Sequence, residues 1–123
     1  MKILVTGGAG FIGRYLVEHL LKDNKITIYD DLSNSTREKI IPLISNGAKF
    51  VKGDILDFKL LAESSKNFDV IIHLAAKSDV SESVIHPEIT TSVNLNGTIN
   101  VLKCCAQNKI KKIIFASSAA VYG

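Results

Sequence analysis

The apolar run Ile3-Leu4-Val5 leads directly into Thr6-Gly7-Gly8-Ala9-Gly10-Phe11-Ile12-Gly13. A strand that feeds a glycine-rich turn, which in turn opens a helix, leaves few architectures available. Glycine permits the tight turn and lets the backbone approach an anion closely. The helix N-terminus adds unpaired N–H groups and the positive end of the helix dipole. This segment predicts a phosphate cradle of the dinucleotide-binding kind, set in a parallel α/β fold.

Two glycine spacings overlap in the loop. Gly8-x-Gly10-x-x-Gly13 fits the general dinucleotide fingerprint, and Gly7-x-x-Gly10-x-x-Gly13 fits a variant one residue longer. An acidic residue, Asp30, ends the next apolar run 17 residues after Gly13. A carboxylate there is placed to accept ribose hydroxyls and to repel a 2′-phosphate, which favours NAD over NADP. Asp31 is the alternative for the same role.

Strand-like and helical runs alternate along the whole chain. Strands are predicted at Lys2–Thr6, Ile26–Tyr29, Lys49–Lys52, Asp69–Leu74 and Lys112–Ala116. Helices are predicted at about Phe11 to Lys22, from the polar loop Asn34-Ser35-Thr36 to about Ser45, and from a cap at Asp57 to about Ser65. A long helical stretch, started or interrupted by Pro87, ends near Asn108. Right-handed crossovers give a five-stranded Rossmann-like sheet in the order 3-2-1-4-5, with helices on both faces and one unit over residues 1–123. That topology lines Gly7, Asp30, Asp54, Ala75 and Ser118 along one edge, although they are far apart in sequence.

Five motifs in order then carry a resemblance: the glycine loop, Asp30-Asp31-Leu32-Ser33-Asn34, Gly53-Asp54-Ile55, His73-Leu74-Ala75-Ala76, and Ser117-Ser118-Ala119-Ala120-Val121-Tyr122-Gly123. Ser83-Val84, Pro87, Asn94 and Asn96-Gly97-Thr98 also fit. Together they resemble the N-terminal part of the extended short-chain dehydrogenase/reductases that act on nucleotide sugars. The resemblance covers the whole chain. It implies that Gly7, Gly10, Phe11, Ile12 and Gly13 hold the cofactor phosphates. It also implies that Asp54 and Ile55 meet the adenine, and that Asn34 and Ser35 lie near its ribose. Leu74, Ala75 and Ala76 would pass beneath the pyrophosphate and ribose, where bulk would block the cofactor.

Asn94 is implied beside the active-site end of strand four; an internal helix hydrogen bond is the alternative. Ser117 would line the nicotinamide side. Ser118 resembles the family's active-site serine or threonine, which hydrogen-bonds the sugar hydroxyl being oxidised. A turn cap is the alternative for both. His73 reads as a packed strand-end residue. Lys77 is placed near the nicotinamide end without an assigned role, and Arg14 and Arg37 read as surface charges.

The resemblance also implies a Tyr-x-x-x-Lys pair downstream of the serine strand, in which the lysine lowers the tyrosine's pKa. These 123 residues contain no such pair. The chain alone is therefore expected to bind NAD without catalysis, with the sugar nucleotide held only by a longer parent. After Ser118 stand Ala119 and Ala120, which cannot move a proton. Their position resembles that of the 4-epimerases, which need only reversible oxidation at C4. UDP-glucose/UDP-galactose epimerisation is the first expectation; acetamido-sugar or uronic-acid 4-epimerases, or a non-catalytic NAD sensor, are the alternatives.

Composition excludes other classes. The chain is 46% hydrophobic, enough for a core, yet no apolar run nears the roughly 20 residues of a membrane span. Met1 stands directly before the first strand, so no secretory leader is expected and the cytoplasm is the expected compartment. The 15 basic and 12 acidic residues are scattered, and no basic stripe with interleaved aromatics marks a nucleic-acid partner. Cys104 and Cys105 are adjacent, without zinc-ligand spacing, so no metal is expected. Strand five is expected to be an edge with one poorly covered face, through which the chain self-associates.

Overall fold

A computed structural model describes all residues, Met1–Gly123. Five parallel strands, β1 (Lys2–Thr6), β2 (Lys25–Asp30), β3 (Lys49–Lys52), β4 (Val70–His73) and β5 (Lys112–Phe115), form one sheet in the order β3-β2-β1-β4-β5. The register sets Thr6 beside Tyr29 and His73, so the loops leaving β1, β2 and β4 emerge side by side.

Alternation along the strands divides the core in two. Ile3 and Val5, Ile26 and Ile28, and Val70 and Ile72 face one side. They pack against Val17 of α1 (Phe11–Leu20) and Leu43 of α2 (Ile41–Ser45). Leu4, Tyr29 and Ile71 face the other side, against Leu61 of α3 (Phe58–Ser64) and Val101 and Cys104 of a later helix (Thr98–Gln107). Both faces of the central strands are thereby removed from water, as a parallel sheet requires.

The helices break where proline dictates. Residues 37–45 are not one helix. A 3₁₀ turn, Arg37–Ile40, precedes α2, because Pro42 has no N–H for a continuous ladder. The first helix ends at Leu20, two residues before the predicted Lys22.

The long helical stretch is likewise segmented. It contains α4 (Val80–Ile85), α5 (Pro87–Thr91), a π-helical segment (Ser92–Gly97) and α6 (Thr98–Gln107). His86, restricted by the proline after it, takes φ −127° and ψ 63° and ends α4. Within the π segment, Gly97 lies against Ile55; a Cβ there would stand 2.7 Å from Ile55 Cγ1. No helix is long and apolar enough to cross a membrane.

β5 is an edge strand. Ile113 packs on the α3/α6 side, while Ile114 is 45% and Phe115 58% exposed.

Candidate cofactor cleft

A cleft of about 470 Å³ opens over the carboxyl ends of β1, β2 and β4. Its walls bring together Gly7, Gly10, Phe11, Ile12, Gly13, Asp30, Asp31, Asn34, Ser35, Asp54, Ile55, Leu74, Ala75 and Ala76. A broader, more open depression of about 600 Å³ lies at the opposite end of the strands, around Lys2, Asn24, Lys25 and Asp69. It has neither the glycine loop nor a helix N-terminus, and ligand chemistry in such sheets gathers at the carboxyl ends.

The glycines allow two loops to touch. Gly7 has φ +70°, and a Cβ there would stand 2.6 Å from the Ala75 nitrogen. A Cβ on Gly13 would run into the Gly7 carbonyl oxygen and stand 2.7 Å from Gly8 Cα. The β1–α1 turn therefore packs directly on the β4 loop, with no side chain between them. Gly10 caps α1 without a side-chain hydrogen bond, and the first turn of α1 carries no acidic residue. The positive end of that helix is left to whatever enters the cleft.

Asp30 fastens this loop to β2. Its Oδ2 accepts the Ala9 N–H at 3.0 Å and its Oδ1 accepts the Leu32 N–H at 2.8 Å. Burial pushes the carboxyl up from its ordinary range, against the two amides that favour the anion. Each carboxylate oxygen keeps a second lone pair for a hydroxyl in the cleft. Ser35 holds the other side of the same residue, its hydroxyl donating to the Ala9 carbonyl at 2.7 Å. Leu32 takes φ +62° to complete the turn between them.

Asp54 stands just beyond β3, its Oδ1 accepting the Leu56 N–H at 2.8 Å. The Tyr29 hydroxyl donates to the Asp54 carbonyl at 2.9 Å. Gly53 makes room for that ring, since a Cβ would stand 2.7 Å from Tyr29 Cε2. The cleft wall also includes Tyr29, Ser33, Gly53, Lys77, Ser78, Val93 and Ala116, most of which carry no motif of their own. Only Ser33 and Gly53, each inside a quoted motif, and Lys77 had a signal in the sequence.

Three residues named from the resemblance do not line the cleft. The Asn94 side chain is occupied by a backbone segment: its Oδ1 accepts the Lys77 N–H at 2.8 Å and its Nδ2 donates to the Lys77 carbonyl at 2.9 Å. Ser117 and Ser118 lie beyond β5 and are exposed. Ser118 Oγ accepts the Ala120 N–H at 3.1 Å, capping the short 3₁₀ turn Ala119–Tyr122. The cap uses a lone pair and leaves the hydroxyl proton free to donate.

His73 is 1% exposed and bonded through both ring nitrogens. Burial lowers its pKa to about 4, so it is neutral near pH 7. It packs as a core residue, tilted against Phe115 with ring centroids 5.7 Å apart.

Residues 3–123 match the family described as the NAD dependent epimerase/dehydratase family. The chain belongs to that family. Among its relatives is a bifunctional UDP-glucose 4-epimerase and UDP-xylose 4-epimerase from Pisum sativum, 41% identical over 99% of this chain and 38% of the pea protein. Solved structures of the family superpose closely. A UDP-glucose 4-epimerase from Brucella ovis in complex with NAD has a TM-score of 0.89 at 35% identity, covering 99% of this chain and 37% of that one. A UDP-N-acetylglucosamine 4-epimerase from Methanobrevibacter ruminantium has a TM-score of 0.90 at 38% identity, over 99% and 39%. The chain thus spans under two fifths of the length of these family members.

Proposed function

We propose that the cleft binds NAD, and that the chain is the cofactor-binding portion of a UDP-sugar 4-epimerase. The observation that carries this reading is Asp30, whose carboxylate is stapled to the glycine loop at the end of β2. A group fixed there accepts ribose hydroxyls and repels a phosphate on the same ribose. The uncompensated N-terminus of α1 and the close approach of Gly7 to Ala75 fit a pyrophosphate. Asp54 and Ile55 fit the adenine end, and Asn34 flanks the ribose.

NAD, when bound, supplies a hydride acceptor and donor. The chain's own contribution is to hold and orient it, and to keep a neutral, unreactive backbone beneath it at Leu74–Ala76. In the full-length parent, Ser118, whose hydroxyl proton is free, is the residue proposed to orient the sugar hydroxyl being oxidised. Ala119 and Ala120 offer no acid or base for elimination or decarboxylation, which favours simple return of the hydride. UDP-glucose/UDP-galactose is the proposed substrate pair of the full-length parent. The M. ruminantium relative keeps an acetamido-sugar specificity as the second reading.

Cys104 and Cys105 are free thiols, and burial raises the Cys104 pKa to about 11. They support a reducing compartment, the cytoplasm. The exposed β5 edge supports self-association of the chain.

Calorimetric titration with NAD, NADP and UDP-sugars tests the proposal. NAD binding at least about tenfold tighter than NADP, with weak or absent UDP-sugar binding, is the expected result. Equal or tighter NADP binding overturns the role of Asp30.

A further inference from the structure

His73 belongs to a hydrogen-bonded chain whose direction is fixed by proton counting. Thr98 Oγ1 lies 2.6 Å from the Asn94 carbonyl, which can only accept, so its single proton goes there. The same oxygen lies 2.9 Å from His73 Nε2, and must accept from it. The ring therefore carries its proton on Nε2. Nδ1 is then a lone pair, and it accepts the Thr6 hydroxyl proton across 2.6 Å. The Thr6 oxygen is left facing the Ala75 N–H, 3.5 Å away.

The two ends of this chain meet the same short segment. Thr6 faces its start at Ala75, and Asn94 clamps both backbone groups of Lys77. Ala75 and Lys77 both line the cleft. Thr98 donates to the Asn94 carbonyl four residues back, a helical back-bond, while the Asn94 side chain, in the π-helical segment, reaches Lys77. No buried side-chain polar atom is left without a partner.

We propose that His73 is a positioning residue: as its Nε2–H tautomer it links β1 to the π-helical segment and so fixes the Ala75–Lys77 floor of the cleft. Its importance for binding rests on the reading of the cleft as a dinucleotide site. An ordinary core histidine would contribute to stability alone. A positioning residue also sets the local order of the floor and the affinity of what lies on it.

Multiple-bond ¹H–¹⁵N spectra of the labelled chain near neutral pH read the tautomer directly. The Nε2–H form is expected, and an Nδ1–H form or an imidazolium overturns the proposal. Thr98→Val removes the central hydroxyl while keeping the branched shape. The expected result is amide exchange at Lys77 faster by about tenfold, with Leu4 and Ile28 in the sheet unchanged. NAD affinity is expected to fall about three- to tenfold, and Thr98→Ser restores both. Uniform acceleration across the sheet, or NAD affinity within about twofold of the parent, overturns it. If the parent chain does not bind NAD, the proposed function fails; the tautomer and the local exchange still decide whether His73 fixes the floor.

Discussion

The Asp30 carboxylate accepts the Ala9 amide across 3.0 Å, fastening the end of β2 to the glycine loop. The residue proposed to select the cofactor's ribose is thus also the one that fastens the proposed phosphate cradle. Asp30→Asn removes the charge and turns one acceptor into a donor facing a backbone N–H. NAD affinity is expected to fall about tenfold, and the preference over NADP to narrow, both read by calorimetry. An unchanged preference would assign discrimination to another group.

Gly7→Ala tests the contact between the two loops. The positive φ alone costs about 1 kcal/mol, and the added Cβ, 2.6 Å from the Ala75 nitrogen, has no flexible side chain to displace. Destabilisation of at least about 2 kcal/mol by urea unfolding is expected, with loss of NAD binding. Gly47→Ala is the control: it also has positive φ but nothing within 4 Å of its Cβ, so only the conformational cost applies.

His73 makes stability depend on pH in a known direction. Its folded pKa is lowered to about 4 from the ordinary 6.5, chiefly by burial. Between those values the unfolded chain binds a proton that the folded chain excludes, so stability falls as the pH falls from about 6.5 to about 4. The full contribution is about 3 kcal/mol, complete above the unfolded pKa. The His73 ring resonances should hold steady down to about pH 5 while urea midpoints decline. A ring that titrates near 6.5 would contradict the burial argument.

Ile114, 45% exposed on the edge strand β5, is the position at which to test self-association. Ile114→Lys places a charge on an edge that otherwise offers unpaired backbone and apolar surface. Light scattering at high concentration is expected to show a larger species for the parent and a smaller one for the variant. A parent that stays monomeric removes the oligomer from the proposal.

The strand order and the glycine loop were legible because they depend on local patterns. Apolar runs of strand length between helical periods force parallel pairing, and Gly7 and Gly13 stand where only a bare backbone fits. Tyr29 was not legible. It reads as one more apolar residue of β2, and only the approach of the β3 loop gives its hydroxyl a partner at Asp54. The break at Pro87 was legible in the sequence; the break before Pro42 was missed although proline chemistry accounts for it, and nothing in the sequence marked the π-helical segment.

By itself the sequence determined the sheet, its order, the family, and the acidic residue at the end of β2. These follow from periodicity, spacing and residue type. Only the tertiary structure decided which hydrogen bonds the site residues spend on one another. Asn94 is engaged by Lys77, the Ser35 proton by Ala9, and His73 by two threonines far apart in the chain. Such pairings arise where buried polar groups must find partners once water is excluded, and those partners are set by the packing of distant segments.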